Sequence, residues 1–304
     1  MKRALALLPI LAACAPAAPP ADVPAPTDRL TALEAEVRRI IRAAAGDTAE
    51  VSVAFVDLAG GDSLLIDAHE PMHAASTMKV PVMMELFRRA NAGEISMDDR
   101  VPVRNAFVSI ADGGTYSLSP GDDSDGELYR RVGGEATVRE LVERMITRSS
   151  NLATNILIAR AQPARIAVLM ERIGAQGMHV LRGVEDNAAY RAGMNNTTTA
   201  HALMRVMRAV QDPAVVGADA AREMQAILGR QAFTEMIPAG VPAGTRVANK
   251  TGNITRIAHD AAIVYPPGRA PYVLVVMTRG FADAGVAAAV GRDVSRAVWA
   301  HVTR

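Results

Sequence analysis

The sequence predicts an α/β protein: a five-stranded antiparallel sheet flanked by the terminal helices, with an all-α lobe inserted between its second and third strands. Three observations predict this. Apolar residues recur at helical spacing near both ends of the 304-residue chain. Five strand-like runs are divided, two following the first helix and three preceding the last. Between them the pattern is almost wholly helical, so a single sheet closes across an insertion.

Hydrophobic residues make up 50% of the chain, charged residues 21% and aromatics 4%. This apolar content excludes intrinsic disorder, and the length allows a full core in one or two domains. Basic and acidic side chains number 33 and 32, a net charge of +1, which argues against a nucleic-acid binder living on phosphate neutralisation. No apolar run reaches the roughly 18–20 residues of a spanning helix. Only Lys2, Lys79 and Lys250 are lysine; every other basic residue is arginine. Arginine stays charged at any ordinary pH, whereas a desolvated lysine can give up its proton. Positions 79 and 250 are therefore the first places to look for chemistry.

Taken in order, Lys2 and Arg3 precede the apolar Ala4–Leu11 and the small Ala12 and Ala13, which describes a secretory signal over residues 1–13. Leu11-Ala12-Ala13-Cys14 resembles the lipobox of bacterial lipoproteins, which implies that Cys14 is lipidated. It is the sole cysteine in the sequence, so no intramolecular disulfide can form. Pro16, Pro19, Pro20, Pro24 and Pro26 make residues 14–28 a stiff, extended tether. The expectation is an exported, monomeric domain on the periplasmic side, touching the membrane through its lipid anchor alone. The outer membrane is preferred, because Ala15 is not the acid expected of inner-membrane retention.

Residues 29–304 form the body. Leu30, Leu33, Val37, Ile40 and Ile41 give a helix over Leu30–Ala45. Val51–Leu58 and Leu64–Ile66 read as strands across the Gly60-Gly61-Asp62 turn. Helices follow at Met78–Ala90, Val138–Ile146, Ala153–Ala161, Arg165–Ile173, Thr199–Val210 and Ala220–Leu228. Strands return at Arg246–Lys250, Ala261–Tyr265 and Tyr272–Thr278, and a last helix spans Val286–Val302. The α/β lobe covers about 29–74 and 230–304, and the α lobe about 75–229.

Three short elements carry chemistry in combination. In Ser76-Thr77-Met78-Lys79, a hydroxyl and an amine three residues apart share one helical face, close enough for proton transfer, and the helix N-terminus adds positive potential. Pro81 removes a backbone bond early in that helix. Ser149-Ser150-Asn151 falls in a break between helices. Lys250-Thr251-Gly252 ends a strand, where glycine lets a ligand approach the backbone closely. Each alone is common; in this order, with both internal lysines included, they form a joint signal.

On these residues the chain resembles the penicillin-recognising serine hydrolases, and among them the class A β-lactamases, over nearly all of 29–304. The resemblance implies the β-lactamase/transpeptidase-like fold and hydrolysis of a β-lactam amide, a small cyclic-amide substrate, with no cofactor and no metal. Ser76 would be the acylated nucleophile, Lys79 its base, and Ser149 the group that protonates the departing nitrogen. Asn151 would hold the substrate's side-chain amide, Lys250 would supply positive potential, and Thr251 would bind the carboxylate. The N–H groups of Ser76 and Asn253 would form the oxyanion hole beside Gly252. Glu185, in Arg182-Gly183-Val184-Glu185, would activate the deacylating water. The sequence departs from the family at Ala189, where an asparagine is expected, at Asn196, where an acid would pair with the loop arginine, and at Ser150, usually aspartate. The carboxylate-binding arginine has no counterpart; its place falls near His259, with Arg256 or Arg279 as substitutes. His259 and His201 read as structural. The alternatives are a related peptidase or esterase with little β-lactam turnover, or a non-catalytic lipoprotein of the same fold.

Other patterns are set aside. His69-Glu70-Pro71-Met72-His73 matches a zinc motif in letters, but Pro71 breaks the helix it needs. Asp122–Glu127 resembles an incomplete calcium loop and reads as a solvated acidic segment. Neither Lys79 nor Lys250 follows glycine, so no phosphate-cradling loop is present. Met83, Met84, Met204 and Met207 read as core.

Overall fold

In a computed structural model the described residues are 28–46 and 48–304; the signal segment, Cys14 and nearly all of the tether lie outside them. Helix α1 (Asp28–Ala45) presents the expected stripe, burying Leu33 and Val37. It leads into strands β1 (Glu50–Asp57) and β2 (Ser63–Ile66), joined by a tight turn in which Gly61 sits at φ 86°, a conformation open to glycine. The helices follow in order: α2 (Lys79–Asn91), α3 (Val138–Thr147), α4 (Asn151–Ala161), α5 (Pro163–Arg172), α6 (Asn187–Arg191), α7 (Ala200–Val210), α8 (Pro213–Val216) and α9 (Ala218–Leu228). Strands β3 (Arg246–Ile254), β4 (Ile257–Tyr265) and β5 (Tyr272–Arg279) and helix α10 (Ala284–Val302) close the chain.

The five strands form one antiparallel sheet in the order β2-β1-β5-β4-β3. The first and last of the five strands therefore meet inside the sheet, where Val53 pairs with Val276. Its strands are apolar almost throughout because both faces are covered. Val53, Phe55, Leu274 and Val276 face α1 and α10 in one core. Ala54, Val275, Met277 and Ile263 face the helices in the other, with Met83, Met84, Met204 and Met207 filling the gaps between them. Side chains cap three of the helices around the site: Thr137 for α3, Ser150 for α4 and Thr199 for α7.

Two differences from the expected elements matter. The strands β3 and β4 run on as a hairpin to Ile254 and Ile257, so Lys250-Thr251-Gly252 lies within β3 and not at its end. The polar Asn253, Thr255 and Arg256 ended the apolar pattern, but backbone pairing does not need apolar side chains. Short two-residue ribbons also appear, Met72–His73 with Thr197–Thr198 and Phe107–Val108 with Thr115–Tyr116, too brief to leave a periodic trace.

Candidate active site

Ser76 lies in a 3-10 turn, Ala75–Met78, that runs directly into α2. Pro81 explains the change of helix type: with no N–H it cannot bond the Thr77 carbonyl, so the α-helical ladder starts after it. Ala75, just before the serine, is held at φ 46°, a costly conformation for a residue with a side chain. Its N–H donates to His73 Nδ1 at 3.0 Å. The His73 carbonyl in turn accepts from His259 Nε2 at 3.0 Å. From the other side β3 presses against the turn at Gly252, where a Cβ would lie 3.0 Å from Thr77 Cγ2 and 3.2 Å from Ala75 Cβ. The glycine thus makes room for the serine's own turn.

Lys79 and Lys250 are both fully buried, and a single hydroxyl joins them. Ser149 Oγ lies 3.2 Å from Lys79 Nζ and 3.0 Å from Lys250 Nζ. Lys79 also donates to the Ser149 carbonyl at 2.6 Å and to Asn151 Oδ1 at 2.8 Å. Lys250 donates to the Thr251 carbonyl at 2.9 Å. Burial pushes the Lys79 amine down to about 7, with the Asp123 and Glu185 carboxylates pulling the other way. Burial lowers Lys250 too, and the neighbouring Lys79 adds to the effect while Asp260 opposes it. Two ammonium groups facing one hydroxyl repel, so losing a proton from one favours the charge on the other. A neutral Lys79 keeps two N–H donors for the two carbonyl oxygens and has a lone pair to spare.

Glu185 approaches from the opposite side, on the loop between Leu181 and Asn196. Its Oε1 accepts from Asn151 Nδ2 at 2.7 Å, so Asn151 bridges Lys79 and Glu185. Burial raises the carboxyl's pKa, which makes the carboxylate a stronger base. Glu185 sits at φ 60°. Asn155 fixes the residue before it, accepting the Val184 N–H at 2.7 Å and donating to the Val184 carbonyl at 3.0 Å. Asp186 is buried, caps α6, and accepts from Ser109 Oγ at 2.8 Å and Ile110 N–H at 3.1 Å. The loop's neck is closed by an amide: Asn196 Oδ1 accepts from Leu181 and Arg182 N–H at 2.8 and 3.1 Å, while Nδ2 donates to the Arg182 carbonyl at 2.9 Å. Arg182 spends its guanidinium on Met194 O, Gly183 O and Asn195 Oδ1. A cleft of about 340 Å³ is lined by Ser76, Asn151, Glu185, Asn253 and Ile254, among others. A larger hollow of about 600 Å³, between α1 and α10, is lined by residues such as Arg29, Glu36 and Arg296. It holds none of these groups.

A model of the beta-lactamase enzyme family matches residues 32–302, almost the whole chain. The chain belongs to the beta-lactamase enzyme family. Within it the chain is a class A member, similar to an ancestral class A beta-lactamase (26% identity, TM-score 0.75, covering 88% of this chain and 99% of that one). It is 31% identical over 201 residues to the beta-lactamase AST-1 of Nocardia asteroides, 60% of this chain and 65% of that enzyme. The matched part is thus just under two thirds of that relative's length. The fold is also that of PBP-A, a mutant of which was solved as an acyl-enzyme complex with penicillin-G (23% identity, TM-score 0.75, 90% and 97% coverage).

Against that family, the structure brings Ser76, Lys79, Ser149, Asn151, Glu185, Lys250, Thr251, Gly252 and Asn253 to one region, and several secondary expectations change. His259, expected near the place of the missing arginine, is fully buried with its pKa pushed down to about 4, so it packs behind the Ser76 turn as a neutral ring and does not line the cleft. Arg279 pairs with Glu50, and Arg256 reaches the Gly280 carbonyl; neither lines the cleft. Met72 and His73 lie in a ribbon, not in the helix that a zinc motif requires. The acidic segment is solvated only in part: Asp122 and Glu127 are exposed, whereas Asp123 and Asp125 are buried. Sequence reasoning missed Asn155, Asp123 and His73. A signal existed for Asn155, a polar residue one turn after Asn151 in an otherwise apolar helix; Asp123 and His73 act across long loops that no local pattern predicts.

Proposed function

We propose that the protein is a serine β-lactamase in which Ser76 forms the acyl-enzyme and Glu185 drives its hydrolysis. The observation that carries this is the Ser149 hydroxyl shared by two buried lysines beside the serine's turn. Neutral Lys79 takes the Ser76 Oγ proton as Oγ attacks the β-lactam carbonyl carbon. The N–H groups of Ser76 and Asn253 face the developing oxyanion, a contribution of roughly 3–4 kcal/mol per donor. The ring C–N bond then breaks, and Ser149 passes a proton from Lys79 to the departing nitrogen. Lys250 and Thr251 bind the substrate carboxylate, and Asn151 its side-chain amide. In the second half, Glu185 takes a proton from water as that water attacks the ester, and Ser76 leaves with its proton restored. The test is hydrolysis of a chromogenic cephalosporin by the full chain: the reading requires turnover that disappears, with the Ser76 adduct, in Ser76→Ala.

A second reading, acylation with little turnover, is favoured by one observation. The position four residues after Glu185 is Ala189, fully buried and offering no polar side chain to a water. An initial burst of one equivalent followed by almost no turnover would select it.

The sequence of residues 1–14 supports export and anchoring through lipidated Cys14, with the domain on the periplasmic side. Radiolabelled palmitate entering the native chain but not Cys14→Ala is the expected result; equal labelling of both would refute the anchor.

A further inference from the structure

The acidic segment 122–127 looked like a solvated loop, yet Asp123 is only 8% exposed and Asp125 2%. We propose that Asp123 is a positioning residue for acyl transfer: its carboxylate holds the turn at Ser149–Asn151 in the shape that aims Ser149 Oγ and Asn151 Oδ1 at Lys79. This rests on the reading of Ser76, Lys79 and Ser149 given above.

The carboxylate is fully engaged. Asp123 Oδ2 accepts the backbone N–H groups of Asn151 and Leu152, each at 2.9 Å, and the Tyr129 hydroxyl at 3.1 Å. Oδ1 accepts the Asp125 N–H at 3.0 Å. Asn151 and Leu152 are the first two residues of α4, whose N–H groups have no partner inside the helix. Ser150 Oγ reaches only the third, Ala153, at 3.2 Å. A short hydroxyl at position 150 therefore leaves two donors open. A carboxylate from 28 residues before Asn151 closes them, at the helix end that favours negative charge.

The residue these bonds steady is under strain. Ser149 sits at φ 56°, a left-handed conformation that persists only where its surroundings over-determine it. Lys79 grips its carbonyl on one side, and Asp123 pins the following helix start on the other. The loop bearing Asp123 is itself fastened: Asp125 accepts from Arg144 Nη1 at 3.0 and 2.9 Å, and Ser124 Oγ donates to the Arg148 carbonyl at 2.6 Å. Asp123 also acts through space. The charged groups facing Lys79 are Lys250 on β3, Glu185 on its loop and Asp123; the two acids favour the protonated amine, while Lys250 opposes it.

Asp123→Asn in the full chain keeps the side chain's shape, removes its charge and turns one acceptor into a donor facing other donors. The acylation rate constant, followed across the titration of Lys79, should fall on the order of ten- to hundred-fold on its alkaline plateau, the effect of misplacing catalytic groups by a fraction of an ångström to an ångström. KM should move far less. The acid limb should shift to lower pH, since removing a negative charge makes Lys79 easier to deprotonate. Carbon-13 NMR of labelled lysine, recorded without substrate, should show the same downward shift for Lys79. This second readout stands even if the protein hydrolyses no β-lactam, which separates failure of this proposal from failure of the substrate assignment. Tyr129→Phe removes one donor and leaves the charge, so a few-fold loss with an unmoved limb is expected. An Asp123→Asn protein with parental plateau, limb and Lys79 titration would overturn the proposal, as would a rate loss matched by an equal loss of folded protein with the limb in place. Should Asp123→Asn not fold, a Tyr129→Phe protein with parental acylation would overturn it.

Discussion

On one wall of the cleft, where α2 and the start of α4 meet β3, Lys79 and Lys250 are fully buried and share Ser149 Oγ, and Asp123, Asn151 and Gly252 pack around them. On the loop side, Glu185 is half-buried, and among the described residues its carboxylate accepts one hydrogen bond, from Asn151. The first wall agrees with the expected motif residues apart from Ser150, and the Asp123 carboxylate takes the two helix N–H groups that Ser150 does not reach. The second departs at Ala189 and Asn196, and a neutral amide closes its neck. The contrast teaches that the groups proposed to form the acyl-enzyme are over-determined, whereas the group proposed to clear it hangs on a few bonds. Asn151 belongs to both walls, which couples Glu185 to Lys79.

Three substitutions can break or sharpen that contrast. The largest effect is expected from Glu185→Gln. If Glu185 serves only the second step, deacylation should slow about 10²- to 10⁴-fold, the usual worth of a general base. Acylation should stay within a few-fold, and the Ser76 adduct should accumulate in mass spectra. Equal loss of both steps would mean that the walls are not separate.

Next comes Asn155→Ala. It strips both partners from the Val184 backbone and should cost about 1–3 kcal/mol of stability for the groups left unsatisfied. Deacylation should fall about ten-fold or more as Glu185 loses its fixed approach, with acylation nearly unchanged. Separate stopped-flow measurement of the two steps checks it; a parallel loss in both would place Asn155 in the first wall.

The smallest effect concerns the buttress behind Ser76. Burial lowers His259 from an ordinary 6.5 to about 4. Between those values the unfolded chain takes up a proton that the folded protein refuses, so this residue's contribution is intact above about 6.5 and is lost as pH falls toward 4. Asp260, raised to about 6 by burial, works in the opposite sense, since acid relieves its buried charge. Thermal unfolding of His259→Gln should therefore show a shallower loss of stability on acidification, or a gain. An unchanged slope would refute the neutral buried ring.

Much of this was legible in the sequence, for physical reasons. Helix α1 and strands β1 and β5 were readable because burial on a fixed face imposes a period, and Ser76, Lys79 and Lys250 because the chemistry demands those groups in a set order. The extent of β3 was not, since Asn253 and Ile254 pair through backbone atoms that any residue carries. Asp123 misled for a related reason. Four acids within Asp122–Glu127 look solvated, yet two of them turn inward to meet the α4 N-terminus and Arg144, contacts made across a distance that local pattern does not encode.

The central claim is that the buried wall holds a lysine able to shed its proton near neutrality. The sequence has three lysines, Lys2, Lys79 and Lys250, so lysine labelled with carbon-13 at Cε gives three signals in the full chain, and loss of one in Lys79→Ala assigns the one that matters. The account predicts that the Lys79 signal titrates at about 7, well below the ordinary 10.5. A Lys79 signal that moves only near 10.5 would contradict it, because the amine could then not take the Ser76 proton at working pH.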